Sequence, residues 1–319
     1  MKTCQRYCQL GVVGLLSLYV LWPWIPSAKA GPSPQEGPTT AAGDNIVYAR
    51  PELLLEPTDL AKPQPAPRWV ILDARPREEY NSAHIPGALH VDHDAWKKAF
   101  AEGRDADSWS ERIGRLGITR ESKVVVYDAI DTKDAARIWW ILRFWGVDHV
   151  SLLNGGWQGW QQADLPVTSS SPVPGSATAF RATPGWNRLA TTKQVLDWLP
   201  QHEMQIVDAR SYDEHCGVNK RDNKRGGAIP GAKHLEWSEL IDPATHRFHS
   251  PRRLRQLFDQ AEIDLTRPTA SHCNGGGRAA VMAFGLELMG VDQVRNYYRG
   301  WGEWGNLETT PVEVPQDQK

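Results

Sequence analysis

Short runs of β-branched and other apolar residues, each ending on a polar residue, punctuate this chain: "WVILDA" at 69–74, "SKVVVYD" at 122–128 and "MQIVDA" at 204–209. Runs of this length and composition read as buried parallel strands that deliver a polar group to the carboxyl edge of a sheet. Segments of helical period lie between them. "PREEY" at 76–80 opens a helical turn with its acidic residues early, where they suit the helix dipole. "DAARIWWILRFWG" at 134–146 predicts an amphipathic helix stopped by Gly146. Strand, loop and helix in repetition predict an α/β fold, with an open, mainly parallel sheet covered by helices on both faces. Such sheets place ligands at the carboxyl ends of strands, where loops meet helix N-termini.

The pattern occurs twice. "VILDARPREEY" is echoed by "QIVDARSYDEH", "HIPGALHVD" by "AIPGAKHLE", "GVDHV" by "GVDQV" and "GGWQGW" by "RGWGEW". Asp73 and Asp208 are 135 residues apart, whereas Pro86 and Pro230, Gly146 and Gly290, and Trp157 and Trp301 are each 144 apart. The jump locates a nine-residue insertion within "CGVNKRDNKRGG" of the second copy. Two copies at so long a period mean a duplicated domain and not a solenoid. The domains are expected at 45–166 and 186–312, joined by a Pro/Ser/Gly-rich linker at 167–185, with a tail at 313–319. Trp157, Trp160, Trp301 and Trp304 recur at one place in both copies and are expected to fill the domain cores.

Length and composition permit two ordinary domains: 319 residues, 40% apolar. The net charge of −2 and the absence of any long Lys/Arg run exclude a phosphate-tracking surface, so no nucleic-acid partner is expected. The first thirty residues carry Lys2 and Arg6, an apolar stretch from Leu10 to Trp22, and small residues at Ala28 and Ala30, the order of a secretory signal peptide. The apolar stretch is shorter than the roughly 18 to 20 residues of a spanning helix. Cleavage after Ala30 is therefore expected over an anchor, leaving a spacer at 31–44 and an exported, periplasmic or secreted protein off the membrane. Removal of Lys2, Arg6 and Lys29 would take the net charge from −2 to −5, and Cys4 and Cys8 would go with them. Cys216 and Cys273 remain, which is no disulfide framework.

Cys273 lies in "TASHCNGGGRAAVMAFG", at a strand-to-helix junction that aligns with "VVVYDAIDTKDAARIWW" in the first copy, where Asp128 takes the place of the thiol. Three successive glycines, Gly275, Gly276 and Gly277, let the backbone curl so that N–H groups converge on one spot, an anion nest. The following helix adds its positive end and Arg278 a permanent cation. All three favour thiolate over thiol and make Cys273 the candidate nucleophile. Cys216, at the start of the insertion, is a candidate resolving thiol. Lys220, Arg221, Lys224 and Arg225 offer either a solvated loop or a basic rim over the site. "HVDHD" at 90–94 has metal-ligand residue types without a complete set, and "NGGGR" lacks the spacing of a P-loop.

The doubled pattern resembles the tandem-domain rhodanese (sulfurtransferase) family over residues 45 to 312: "DAR", "EY" and "HIPGA" in the first half, "GGW" and its echo closing each domain, and a six-residue loop from Cys273 to Arg278. The resemblance implies two rhodanese-like domains, the first catalytically silent with Asp128 and the second catalytic. It implies transfer of a sulfane sulfur from a small anionic donor, thiosulfate, to cyanide or a thiol through a persulfide on Cys273, with no metal or organic cofactor. The backbone of Asn274, Gly275, Gly276, Gly277 and Arg278 is the implied cradle, and Arg210 and Arg278 the implied contacts to the donor. Bracing of the Asp208 turn is the other role open to Arg210. 3-Mercaptopyruvate is the alternative donor, since Asn274 and Gly275 are neutral where thiosulfate enzymes tend to carry basic residues. Two further readings stay open, a sulfur carrier without turnover and a cysteine phosphatase-like enzyme; phosphatase loops place five residues between Cys and Arg, and here there are four. A monomer is expected.

Overall fold

The computed structural model describes residues 46–63, 69–170, 172 and 176–315. The expected signal segment (1–30) and spacer (31–44) lie outside the described residues, as do parts of the linker and of the tail. Among the described residues no helix is long and apolar enough to cross a membrane.

The apolar runs become strands of two sheets. In the first, β1 (Leu54–Leu55), β2 (Val70–Asp73), β3 (Leu89–His90), β4 (Lys123–Tyr127) and β5 (His149–Leu153) lie in the order β1-β5-β4-β2-β3. In the second, β6 (Gln205–Asp208), β7 (Lys233–His234), β8 (Thr269–His272) and β9 (Val294–Tyr297) lie in the order β7-β6-β8-β9. Every pairing is parallel. The orders β5-β4-β2-β3 and β9-β8-β6-β7 are one topology written twice. The counterpart of β1 has shrunk to a single parallel bridge, Leu189 with Asn296. The insertion is where the offsets put it: the helices Arg77–Ser82 and Tyr212–His215 start 135 residues apart, β3 and β7 start 144 apart.

The outer face of the first sheet buries Tyr80, Ile85, Val125 and Trp160, and that of the second buries Val195, Ile206, Trp301 and Trp304. Between the sheets runs one continuous core drawn from both copies, including Trp139, Trp140, Phe144, Phe258 and Phe284. The helices Lys133–Phe144 and Gly277–Leu288 meet there, Trp139 edge-on to Phe284 with centroids 5.0 Å apart. This corrects the amphipathic expectation for the first of them. Every residue from Ala135 to Leu142 is buried, because the second domain covers the face that would otherwise meet solvent. Burial on all sides is the mark of a helix at the centre of a larger protein.

Candidate active site

In each sheet two neighbouring strands end side by side. Register pairs Asp73 with Tyr127 at the ends of β2 and β4, and Asp208 with His272 at the ends of β6 and β8. The "DAR" turn that follows folds back on its own aspartate: the Asp208 carboxylate accepts the Arg210 backbone N–H at 3.0 Å, Nε at 2.9 Å and Nη2 at 2.5 Å. Asp73 and Arg75 repeat the arrangement. Trp301 covers the Arg210 guanidinium at 4.3 Å, as Trp157 covers Arg75 at 4.1 Å, which places these two tryptophans as lids on ion pairs as well as core residues.

Arg210 is 1% exposed, and its Nη2 also donates to the Gly227 carbonyl at 2.7 Å. Its backbone N–H, Nε and Nη2 are engaged by Asp208 and Gly227 beneath the tryptophan, the bracing of the turn that the sequence leaves open for it. Burial alone would raise the Asp208 carboxyl, but His272, His215 and Arg210 hold it well below the usual carboxylate range. His272 and His215 carried no signal in the sequence beyond their adjacency to Cys273 and Cys216. Burial pushes His272 down to about 4, so this residue stands neutral directly before Cys273.

Cys273 follows β8 and is 2% exposed, its sulfur on the floor of the loop. The Gly277–Leu288 helix starts four residues later, so Gly277 and Arg278 belong to its first turn and the loop proper is Cys273 to Gly276. Of the five backbone N–H groups expected on the sulfur, the structure puts that of Gly276 there, at 3.1 Å. Gly276 has φ +81, and a Cβ on it would stand 2.5 Å from the Tyr298 ring, so this position demands glycine twice over. The first domain holds the same cradle filled: the Asp128 carboxylate accepts from the N–H groups of Thr132, Asp134 and Ala135, each at 3.0 Å. Thr132, left-handed at φ 61, is the 144-residue counterpart of Gly276, and the extra residue of the first loop lies before it. One domain thus offers a carboxylate to a nest of N–H groups where the other offers a sulfur.

All four loop carbonyls are held from outside the loop. Cys273 O accepts from Trp301 N at 2.7 Å, Asn274 O from Gly302 N at 2.9 Å, Gly275 O from Arg137 Nη1 at 2.7 Å and Gly276 O from Asn296 Nδ2 at 3.0 Å. The Asn274 side chain accepts from Asn223 of the insertion at 3.0 Å. Arg137 and Tyr298 were missed by the sequence reading. Both contact the loop from outside its own strand and helix, and no motif in the sequence points to either.

Arg278 forks onto Glu214, Nη1 to Oε2 at 2.5 Å and Nη2 to Oε1 at 3.0 Å. The Arg278 charge is thus shared between the Glu214 carboxylate and the neighbouring Cys273. Burial would raise Glu214, but Arg278 and then Arg221 bring it below the ordinary value, and Glu214 in turn raises Arg278 against the effect of burial. The basic rim is also reduced. Arg225 turns inward, Nη1 donating to Thr310 O and Nη2 to Trp304 O, each at 2.8 Å. Cys216 and Cys273 are both free of disulfides, and the Cys216 sulfur lies 3.8 Å from Asp213 O. In "HVDHD", His90 bonds the Arg75 carbonyl and His93 lies 3.1 Å from Asp134.

Comparison with known proteins agrees with this architecture. A model of the Rhodanese-like domain matches residues 56–163 and 191–307. A mouse (Mus musculus) thiosulfate sulfurtransferase is 32% identical over 256 residues, 75% of this chain and 83% of the relative. A human (Homo sapiens) 3-mercaptopyruvate sulfurtransferase is 32% identical over 246 residues, 75% of this chain and 82% of the relative. A Corynebacterium glutamicum thiosulfate sulfurtransferase is 30% identical over 288 residues, 85% and 94%. Among solved structures, YnjE superposes with a TM-score of 0.74 at 24% identity over 84% of this chain and 70% of that one. Wild-type EanB superposes with a TM-score of 0.74 at 23% identity over 82% and 69%. At those identities the two structures speak for the fold.

Proposed function

The chain belongs to the rhodanese family of sulfurtransferases, and on that premise we propose that its second domain moves a sulfane sulfur from thiosulfate to a thiol or cyanide through a persulfide on Cys273. The observation that carries the reading is the Gly276 N–H set 3.1 Å from the Cys273 sulfur at the head of a helix, in the nest that the first domain fills with the Asp128 carboxylate. A nest that accommodates a carboxylate in one copy suits a thiolate, and then a persulfide anion, in the other.

The Cys273 thiolate attacks the outer sulfur of thiosulfate. A new S–S bond forms, the donor's S–S bond breaks, and its electron pair leaves with sulfite, so one thiolate and one dianion become one persulfide anion and one dianion. A thiolate or cyanide then attacks the terminal sulfur, and the electron pair of the protein's S–S bond returns to Cys273 in a ping-pong cycle. Neither step needs a proton donor. That agrees with the two carboxylates near the loop, both held below their ordinary values: Asp208 by His272, His215 and Arg210, and Glu214 by Arg278 and Arg221. 3-Mercaptopyruvate is the second reading. The neutral Asn274 and Gly275 behind the nucleophile favour it, and the human relative bears that name. Its enolate product takes up a proton, which a carboxylate held ionised does not carry. Export with cleavage after Ala30 belongs to the same proposal and is checked by N-terminal sequencing of the protein recovered from its producing cell.

The test is intact-mass measurement after incubation with thiosulfate or 3-mercaptopyruvate. One added sulfur from thiosulfate, absent in Cys273→Ser, is the expected result. Sulfur from 3-mercaptopyruvate alone turns the assignment to the second donor. No adduct from either, with hydrolysis of phosphate esters instead, sinks the sulfurtransferase mechanism at Cys273.

A further inference from the structure

The first domain carries no thiol at its own strand end, yet one of its side chains reaches the loop of the second. Arg137, on the Lys133–Phe144 helix, is 6% exposed. Its Nη1 donates to the Gly275 carbonyl at 2.7 Å and to the Tyr298 hydroxyl at 2.8 Å, and its guanidinium carbon lies 5.4 Å from the centre of the Tyr298 ring. A Cβ on Gly277 would come within 2.4 Å of Arg137 Nη2, so the helix begins with a glycine where the guanidinium lies. Tyr298 in turn closes the other side of the loop, its ring against Gly276.

The carbonyl that Arg137 holds belongs to the same peptide unit as the N–H that reaches the sulfur. A trans peptide is planar, and its C=O and the following N–H point in opposite directions. Fixing Gly275 O on the Arg137 side therefore turns Gly276 N–H toward Cys273. With glycines on both sides, this peptide has little steric resistance to flipping, and a flip would put a carbonyl oxygen where the thiolate needs a donor. The other three loop carbonyls are held from within the second domain, by Trp301, Gly302 and Asn296.

We propose that Arg137 is a positioning residue supplied by the first domain: by holding the Gly275 carbonyl it aims the Gly276 N–H at the Cys273 sulfur. The first domain is then a working part of the sulfur site and not a spent duplicate. The inference rests on Cys273 being the nucleophile, but its test does not depend on the donor.

In the full-length chain, the rate of Cys273 alkylation by iodoacetamide is measured against pH, with peptide mapping to separate Cys216. Loss of an aimed charge-assisted hydrogen bond predicts that Arg137→Met alkylates about tenfold to a hundredfold more slowly at neutral pH, with the midpoint of its profile moved to higher pH. Arg137→Lys, which keeps a charge and a donor, falls between it and the wild type. Gly277→Ala displaces the guanidinium without removing its charge and moves the profile in the same direction, which separates aim from charge. A wild-type profile in folded Arg137→Met overturns the proposal, as does a slow Arg137→Met beside a wild-type Gly277→Ala, which would leave charge alone at work. If Arg137→Met does not fold, Gly277→Ala decides by the same criterion. Missing sulfur adducts with shifted alkylation profiles count against the donor reading and leave this one standing.

Discussion

Arg278 and Glu214 are joined at two points, 2.5 and 3.0 Å, and the pair ties the first turn of the Gly277 helix to the short helix Tyr212–His215 that follows β6. Glu214→Gln keeps the shape and loses the charge. Breaking a fully buried pair costs about 3–5 kcal/mol; here solvent reaches both arginines that face Glu214, and a cost of about 2 kcal/mol is expected. The pH dependence has a definite sign. The folded-state value of Glu214 lies below the ordinary 4.5, so the stabilisation is complete above 4.5 and is lost as pH falls through the lower folded value. Urea unfolding from neutral to acid pH should show the wild type losing more stability than Glu214→Gln across that window. Parallel curves would exclude the pair as the cause.

Gly275 and Gly276 are neighbours with opposite demands. Gly276 combines φ +81 with the Tyr298 ring, whereas a Cβ on Gly275 would meet nothing within 4 Å. Gly276→Ala has either to move the loop off the ring or to lose the N–H on the sulfur, and removal of one such donor costs on the order of a hundredfold or more in kcat. Gly275→Ala should lose less by at least about tenfold under the same reasoning. Steady-state kinetics with thiosulfate distinguishes them, and equal losses would mean that the ring contact does not set the loop.

Much of this was open to reading because the chain repeats itself. The offsets of 135 and 144 fixed the insertion and the alignment of Asp128 with Cys273, and the strand ends at Asp73 and Asp208 followed from apolar runs of the right length. The ion pairs of Arg210 and Arg278 were less so, since a cation beside a cysteine looks the same in a sequence whether or not a carboxylate holds it. The Trp301 lid and the Glu214 partner both act across folded distance. Arg137 is 138 residues from Gly275, and its own copy gives no sign of it. Contacts between domains leave no periodicity along the chain.

Asp128 fills the cradle of the first domain, and its carboxyl is pushed up to about 7 by burial, with Asp131 and Asp134 adding to the effect against the N–H groups that bond it. A raised folded value for an acid means that its stabilisation is present below the unfolded value of 3.8 and fades as pH rises through about 7. Asp128→Asn removes that fading and gives up one of three hydrogen bonds, about 1 kcal/mol. Asp128→Ala leaves three N–H groups unanswered and should cost several times more, at about 1–3 kcal/mol for each buried group. Thermal unfolding between acid and neutral pH reads both effects. A wild-type curve as flat as that of Asp128→Asn would mean that the carboxyl is already ionised throughout.

The insertion divides its basic residues between two tasks, and salt separates them. Arg225 bonds the carbonyls of Trp304, Leu307 and Thr310 and the Thr310 hydroxyl, pinning the segment after the last helix. Arg225→Ala should therefore lower stability by roughly 3 kcal/mol, since several carbonyls lose a charged donor. Lys220, Arg221 and Lys224 are exposed, on the loop whose Asn223 touches Asn274. Charges on such an exposed loop act on the approach of an anion, and such steering weakens with a Debye length of about 8 Å at physiological salt. Arg221 also faces Glu214 at 3.7 Å, so the two lysines are the clean test. Replacing Lys220 and Lys224 by serine should lower kcat/KM for thiosulfate a few-fold at low ionic strength, leave kcat unaltered, and have no effect near 1 M salt, where the Debye length is about 3 Å. A loss that persists at high salt would mean that one of the two touches the donor directly. No loss at low salt would show that the rim faces away from the path to Cys273.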